Sequence, residues 1–212
     1  MTFTLGLLVA VVWGSVPWSW LVARLWRGID LREEGSKNVG ATNVLRTCGK
    51  VPGVLAYILD GAKGFVGVYF LPQLFPVTWL DPTLYGCALM LAVMLGHIFT
   101  PFLGFRGGKG AMAGVGAAVA LDPWIGLVTL GLFLIVAFAT RIVSVATISA
   151  SVAYPAVITV FGLTGNGMNW ILFGFGVLAA ALVIFMHRSN LKRLREGREN
   201  APSSGGGKSP KP

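Results

Sequence analysis

The sequence predicts an all-α, polytopic membrane protein of about seven transmembrane helices, with its N-terminus outside and its C-terminus cytoplasmic. Three observations predict this. Only 12% of the 212 residues are charged, against roughly 25% in soluble domains, while 55% are hydrophobic and mean hydropathy is +0.74. Apolar runs recur at lengths near the ~20 residues that a helix needs to cross a ~30 Å hydrocarbon core. Lys and Arg fall into alternate connections between those runs.

The first run, MTFTLGLLVAVVWGSVPWSW, has no basic residue ahead of it, and Arg24 and Arg27 follow it instead. That order suits a retained helix at about 3–24, not a cleaved signal peptide. Runs bounded by Gly, Pro and charge then predict helices at 52–71, 83–103, 111–121, 124–139, 143–162 and 169–187. The fourth run, 111–121, is short for a span. It can be tilted, re-entrant or fused through LDPW with the fifth, and a five-span arrangement is the main structural rival.

The connections after runs one, three, five and seven carry Arg27, Arg32, Lys37, Arg46 and Lys50, then Arg106 and Lys109, then Arg141, then the basic C-terminal stretch. PQLFPVTWLDP, LDP and GLTGNGMN carry no basic residue. Of the seventeen Lys and Arg, all but Lys63 therefore lie toward one side, which is the positive-inside pattern. The same bias accounts for the net charge of +9. Basic residues scattered among spans argue against a nucleic-acid partner. Cys48 and Cys87 have no metal-type spacing and are expected to be reduced thiols without a role. Residues 1–200 read as a single transmembrane domain, and APSSGGGKSPKP, 201–212, as a disordered tail. So little chain is left outside the spans that any chemistry must come from loops and helix ends.

Three polar blocks interrupt the hydrophobicity, and the charge pattern puts all three on the cytoplasmic side. In EEGSKNVGATNVLRTCGK, 33–50, Ser36, Asn38, Thr42 and Asn43 offer neutral hydrogen-bonding groups and Arg46 a bidentate fork. Gly35 and Gly40 let the backbone curl, and a helix starting near Thr42 would add its N-terminal partial charge, so the block describes an oxyanion or phosphate cradle. In GHIFTPFLGFRGGKG, 96–110, Gly107, Gly108 and Gly110 surround Lys109 and leave the backbone open to an anion. This is not a nucleotide P-loop, because Leu103 and Gly110 stand where that motif needs Gly and Ser or Thr. In HRSNLKRLREGREN, 187–200, His187 and Asn190 share a face of a continuing helix, while Arg188, Lys192, Arg193, Arg195 and Arg198 suit anionic headgroups. Inside the second span, Asp60 and Lys63 are three apart; ionisable groups at membrane depth are usually paired, and these are expected to form an ion pair that braces the loops. No cluster of hard oxygen ligands calls for a metal.

These blocks closely resemble the signature motifs of one family. GSKNVGATNVLR (35–46), GHIFTPFLGFRGGKG (96–110) and HRSNLKRLREGRE (187–199) look like the three motifs of the acyl-phosphate-dependent glycerol-3-phosphate acyltransferases, the PlsY family. LDGAKG, with Asp60 and Lys63, and RIVSVATISA (141–150) are similar to two further family segments. The resemblance implies a multi-pass enzyme of the bacterial inner membrane, with its site facing the cytoplasm, acting in phospholipid biosynthesis. It implies acyl phosphate and glycerol 3-phosphate as substrates, acylation at position 1 to give lysophosphatidic acid, no cofactor, and association with the enzyme that produces acyl phosphate. It places Ser36, Asn38, Thr42, Asn43 and Arg46 in a phosphate pocket, Lys109 and its glycines on substrate phosphate, and His187 and Asn190 as completing the site. Ser144 and Thr147 stand where such members usually show two serines; threonine keeps the hydroxyl.

An acyl phosphate carries a good leaving group, so such a site needs orientation and charge stabilisation more than a covalent relay. Lys109 and Arg46 are expected to stabilise the leaving phosphate, and loop N–H groups, or Ser36 and Asn43, the oxyanion. The His/Asp dyad of other acyltransferases is absent at its usual spacing, since Phe102 and Lys192 lie five residues beyond His97 and His187. The substrate's own phosphate is therefore expected to take the hydroxyl proton, with His187 orienting. The rival class is a small anion transporter, which would need polar groups reaching both faces and symmetry at the midplane. A structural partner that merely docks the acyl-phosphate producer is the other.

Overall fold

The computed structural model describes residues 1–165 and 167–199; the expected tail at 201–212 lies outside the described residues. Those residues form α1 (Thr2–Ser15), α2 (Trp18–Arg27), α3 (Ala41–Cys48), α4 (Lys50–Tyr69), α5 (Leu71–Leu74), α6 (Pro82–Ile98), a 3₁₀ turn (Pro101–Leu103), α7 (Ala111–Leu121), α8 (Pro123–Thr140), α9 (Val143–Thr164), α10 (Trp170–Met186) and α11 (Arg188–Arg195). No strand occurs among the described residues.

Five spans are long and apolar enough to cross a membrane: Thr2–Arg27, Lys50–Leu74, Pro82–Leu103, Pro123–Thr140 and Val143–Thr164. A sixth results if α10 and α11, bent by 58°, count as one. All seven expected apolar runs are helical, and five or six of them meet the length for a full crossing. The shortfall is α7, whose 11 residues rise only about 16 Å. It is not fused to α8: Asp122 breaks the chain between them and caps α8 by accepting from Trp124 N and Ile125 N at 3.0 and 3.1 Å, with Pro123 at the first position.

Packing explains the shortness. A Cβ on Gly64 would collide with the Ala113 carbonyl, and one on Gly116 with Gly61, so α7 lies backbone to backbone along the second half of α4. Gly110, at its start, rests on Met94 and Ile98 of α6, while Leu121, at its end, reaches Gly86 near the other end of α6. The helix thus begins about ten residues, or ~15 Å, into α4 because the loop before it folds down into the bundle. Its N–H groups Gly107 and Gly108 hydrogen-bond the carbonyls of Ile98 and His97 at 2.9 and 3.1 Å.

The first span is broken where Pro17 lacks an N–H. At membrane depth the freed carbonyls need partners. Thr100 Oγ1 donates to Ser15 O at 2.6 Å and Lys63 Nζ to Val16 O at 2.9 Å. Asp60 balances Lys63 at 3.3 Å and accepts from Ser19 Oγ at 2.6 Å, all of it buried. The expected ion pair is present, but what it braces is this break and not the loops.

Candidate active site

Four segments converge on one cavity of about 270 Å³. The first is the loop leading into α3. Asn43, fully buried, ties it down: its Oδ1 accepts from Ser36 N at 2.9 Å, and its Nδ2 donates to Glu34 O and Leu31 O at 2.9 and 3.2 Å. Gly35 has φ +59°, and a Cβ there would strike Asn43 Oδ1, so glycine is needed for this closure. Asn38 Oδ1 accepts from Gly40 N at 3.1 Å and sets up the start of α3. Thr42 bonds the Tyr57 hydroxyl at 2.7 Å. Arg46, one turn on, lines the cavity; its Nε is buried and has no partner among the described residues. Near the loop's start, Asp30 accepts from Trp20 and Arg32, and the Arg32 hydrogen bond holds its carboxyl well below the usual carboxylate range.

The second segment is the Gly-Gly-Lys loop. Gly108 lies against the imidazole of His97, where a Cβ would overlap Nε2. This contact directs Lys109 into the cavity, where its Nζ hydrogen-bonds Asn190 Oδ1. Burial lowers Lys109 to about 8, and the charges of Arg193 and Arg46 add to that, with Glu199 pulling the other way. His97 Nδ1 stands 3.7 Å from Asp60 Oδ1, too far for a hydrogen bond, so a His–Asp pair absent from linear spacing is assembled in space as a structural contact.

Helix α9 supplies the third segment. Both Ser144 and Thr147 face the cavity, but they differ: Ser144 Oγ donates to Glu199 Oε1 at 3.0 Å, while Thr147 Oγ1 donates back to Val143 O at 2.9 Å. The fourth is the α10–α11 bend. His187 Nδ1 lies 2.8 Å from Val183 O; a carbonyl only accepts, so Nδ1 carries the proton and neutral Nε2 is left as an acceptor. Asn190 Nδ2 donates to Glu199 Oε1 at 2.7 Å and Arg193 Nε to Glu199 Oε2 at 2.6 Å.

Of the residues singled out in the sequence, Ser36, Asn38, Gly40, Thr42, Asn43, Arg46, Lys109, Gly110, Ser144, Thr147, His187 and Asn190 all line this cavity. Asp60 reaches its wall, while Lys63 does not. Gly35, Gly107 and Gly108 stand behind the lining and shape the backbone that carries it. Asn43 serves the same end, because both of its polar atoms are engaged by backbone. Sequence reasoning missed Glu199, which is buried and ties together Ser144, Asn190 and Arg193. It also gave Arg193 to lipid, whereas the structure turns it inward. Their positions at i, i+3 and i+9 from Asn190 gave no signal until the chain folded back after α11. Burial raises the Glu199 carboxyl, but hydrogen bonds from Arg193, Asn190 and Ser144 outweigh that and hold it below its ordinary value. It is therefore a poor proton acceptor.

One end of the cavity is thus cationic and donor-rich. The other runs between α6, α7, α9 and α10 along Met90, Met94, Ala118, Ala150, Ala179 and Ala180. That is the shape of a molecule with an anionic head and an apolar tail.

Comparison with known proteins agrees with this chemistry. The family profile described as glycerol-3-phosphate acyltransferase matches residues 4–197. Proteins named glycerol-3-phosphate acyltransferase from Thermosynechococcus vestitus and Endomicrobium trichonymphae are each 39% identical, covering 92% of this chain and 93% and 94% of theirs. The one from Chlorobaculum tepidum is 35% identical over 97% of this chain and 98% of its own. The crystal structure of PlsY (YgiH), an integral membrane glycerol 3-phosphate acyltransferase, in its glycerol 3-phosphate form superposes with a TM-score of 0.81 at 32% identity, covering 95% of this chain and 96% of that one. Its lysophosphatidic acid form gives 0.78 at 30% identity, over 96% and 97%. With a match along nearly its whole length and a cavity built for an anionic head and an apolar tail, this chain belongs to the glycerol-3-phosphate acyltransferase family.

Proposed function

We propose that this acyltransferase takes its acyl group from an acyl phosphate and delivers it to position 1 of glycerol 3-phosphate, releasing lysophosphatidic acid and inorganic phosphate. Acyl transfer to glycerol 3-phosphate in phospholipid synthesis follows from the family; the donor, the position and the residue roles are our reading. The observation that carries it is the pair Arg46 and Lys109. Both line the cavity, and neither forms an ion pair with a carboxylate among the described residues. Two cations with free donors suit two phosphates that meet in one site.

The glycerol hydroxyl oxygen attacks the acyl carbonyl, the bond from that carbon to the phosphate oxygen breaks, and phosphate departs. Lys109 and Arg46 stabilise the departing charge, and Ser36 with the backbone N–H groups at the start of α3 faces the oxyanion. Asn190, anchored by Glu199, holds Lys109 in place. Glu199 is saturated by three donors, so the hydroxyl proton passes to the substrate phosphate while His187 Nε2 orients the hydroxyl. The cytoplasm-facing site, the outside N-terminus and the bacterial inner membrane belong to the same reading. The four segments that form the polar end are those that carry the basic connections, which supports a single cytoplasmic face.

The test is an assay of purified protein in liposomes with glycerol 3-phosphate and matched acyl phosphate, acyl-CoA and acyl carrier protein donors. Lysophosphatidic acid and phosphate should form in equal amounts from acyl phosphate alone. Product from acyl-CoA at a comparable rate would overturn the donor. A His187→Gln variant that loses more than about 10⁴ in kcat at unchanged substrate affinity would instead make His187 the base.

A further inference from the structure

We propose that Tyr154 is the floor of the acyl channel and sets the length of chain the enzyme accepts. This rests on the cavity holding the acyl tail, as in the proposed function, and adds the residue that limits it.

Ser144, Thr147, Ser151 and Tyr154 follow one another on α9 at spacings of three, four and three, and all four line the cavity. They form a single stripe from the polar end inward. Ser144 marks the level of the head group through Glu199. Tyr154 lies ten residues deeper, about 15 Å along the helix. An all-staggered chain advances about 1.25 Å per carbon, so this depth takes up roughly 12 carbons before the tail meets the ring.

The ring makes a firm stop. Tyr154 is 6% exposed, and a Cβ on Gly176 of α10 would already sit 3.2 Å from it, so the ring cannot retreat toward that helix. Beyond it the space closes: Cys87, Ile125, Ile158 and Leu172 form one buried cluster with Tyr154. The Tyr154 hydroxyl is buried and has no hydrogen-bond partner among the described residues. The hydroxyls before it on the stripe, Thr147 and Ser151, are both satisfied by carbonyls of their own helix. Packing therefore fixes the place of this ring with no help from its polar atom, and its bulk is what a chain terminus encounters.

The experiment has two arms, both on full-length protein in liposomes. In the first, binding of lysophosphatidic acids with 8 to about 18 carbons is measured without any acyl donor. In the second, an equimolar mixture of saturated acyl phosphates competes for glycerol 3-phosphate, and products are resolved by mass. Wild type should lose affinity and turnover beyond a sharp length. Tyr154→Ala should move that length up by about four carbons, the span of the missing ring, and Tyr154→Trp should move it down. Tyr154→Phe should leave it in place, since only bulk matters. An unchanged KM for glycerol 3-phosphate shows that a variant is folded. The same length limit in all three variants, in the binding arm, would overturn the proposal and mean that the tail leaves sideways between helices. If no acyl phosphate is consumed while the binding limit still shifts, the donor is wrong and the channel assignment stands.

Discussion

Lys109 gives the sharpest test of how the site works. Its ammonium is half-buried, and that desolvation, with the charges of Arg193 and Arg46 beside it, brings it from 10.5 down to about 8. The sign follows directly: with the pKa lowered, the cation persists below pH 8 and is lost above it. About nine-tenths of free enzyme carries the charge at pH 7 and about a tenth at pH 9. A phosphate entering the cavity restores the proton, because an anion within hydrogen-bonding reach favours the charged form. The alkaline limb should therefore appear in kcat/KM for glycerol 3-phosphate, falling about tenfold per pH unit above 8, and not in kcat at saturation. Lys109→Arg should keep its charge and flatten the limb, at the cost of some geometry. Lys109→Met should remove the limb and lower kcat/KM by about 10²–10³, the usual loss for a donor to developing charge. Phosphate release at subsaturating glycerol 3-phosphate, pH 6 to about 9.5, measures all three. A wild-type kcat/KM that stays flat across that range would refute the claim that a half-buried, charged Lys109 receives the substrate.

Three further outcomes follow from the geometry. Asn43→Ala strands the buried Leu31 carbonyl, at about 1–3 kcal/mol, and releases the part-buried Glu34 carbonyl and Ser36 N–H to water, so hydrogen exchange across 30–40 should accelerate and activity fall with it. Gly108→Ala drives a methyl into the His97 ring and should displace Lys109, raising KM for glycerol 3-phosphate by at least about tenfold with expression intact. Lys63→Met leaves Asp60 as an unpaired buried charge and the Val16 carbonyl without its donor; thermal unfolding in detergent should show a loss of about 3–5 kcal/mol, partly recovered when Asp60→Asn is added.

Much of this protein could be read before it was folded because the bilayer imposes a coarse rule. Helices at 82–98, 123–140, 143–164 and 170–186 fall within a few residues of the hydropathic runs. Ser36, Arg46, Lys109, His187 and Asn190 could be picked out because a polar residue in an apolar chain needs a reason. The misses have physical causes as well. The run at 111–121 left tilted, re-entrant and fused arrangements open because apolarity marks what avoids water, not how deep a loop is drawn in; the structure removes the fusion with α8. The brace of Asp60 and Lys63 was aimed at the loops because nothing local links Lys63 to a carbonyl 47 residues earlier. Asn43 lines the cavity as expected, but its three bonds to backbone, which also make it part of the scaffold, could not be read locally. Glu199 and Arg193 were hidden in a run of charges of the kind that usually lies at a lipid surface.

Composition and the spacing of polar blocks were enough to establish helices, a membrane, one family and the kinds of side chain in the site, since each follows from short-range chemistry along the chain. Which of those side chains touch a ligand, which hold the scaffold, and where the acyl channel stops depended on contacts between helices far apart in sequence. Those contacts are set by close packing and by the need to satisfy every buried polar group, and neither exists until the bundle has closed.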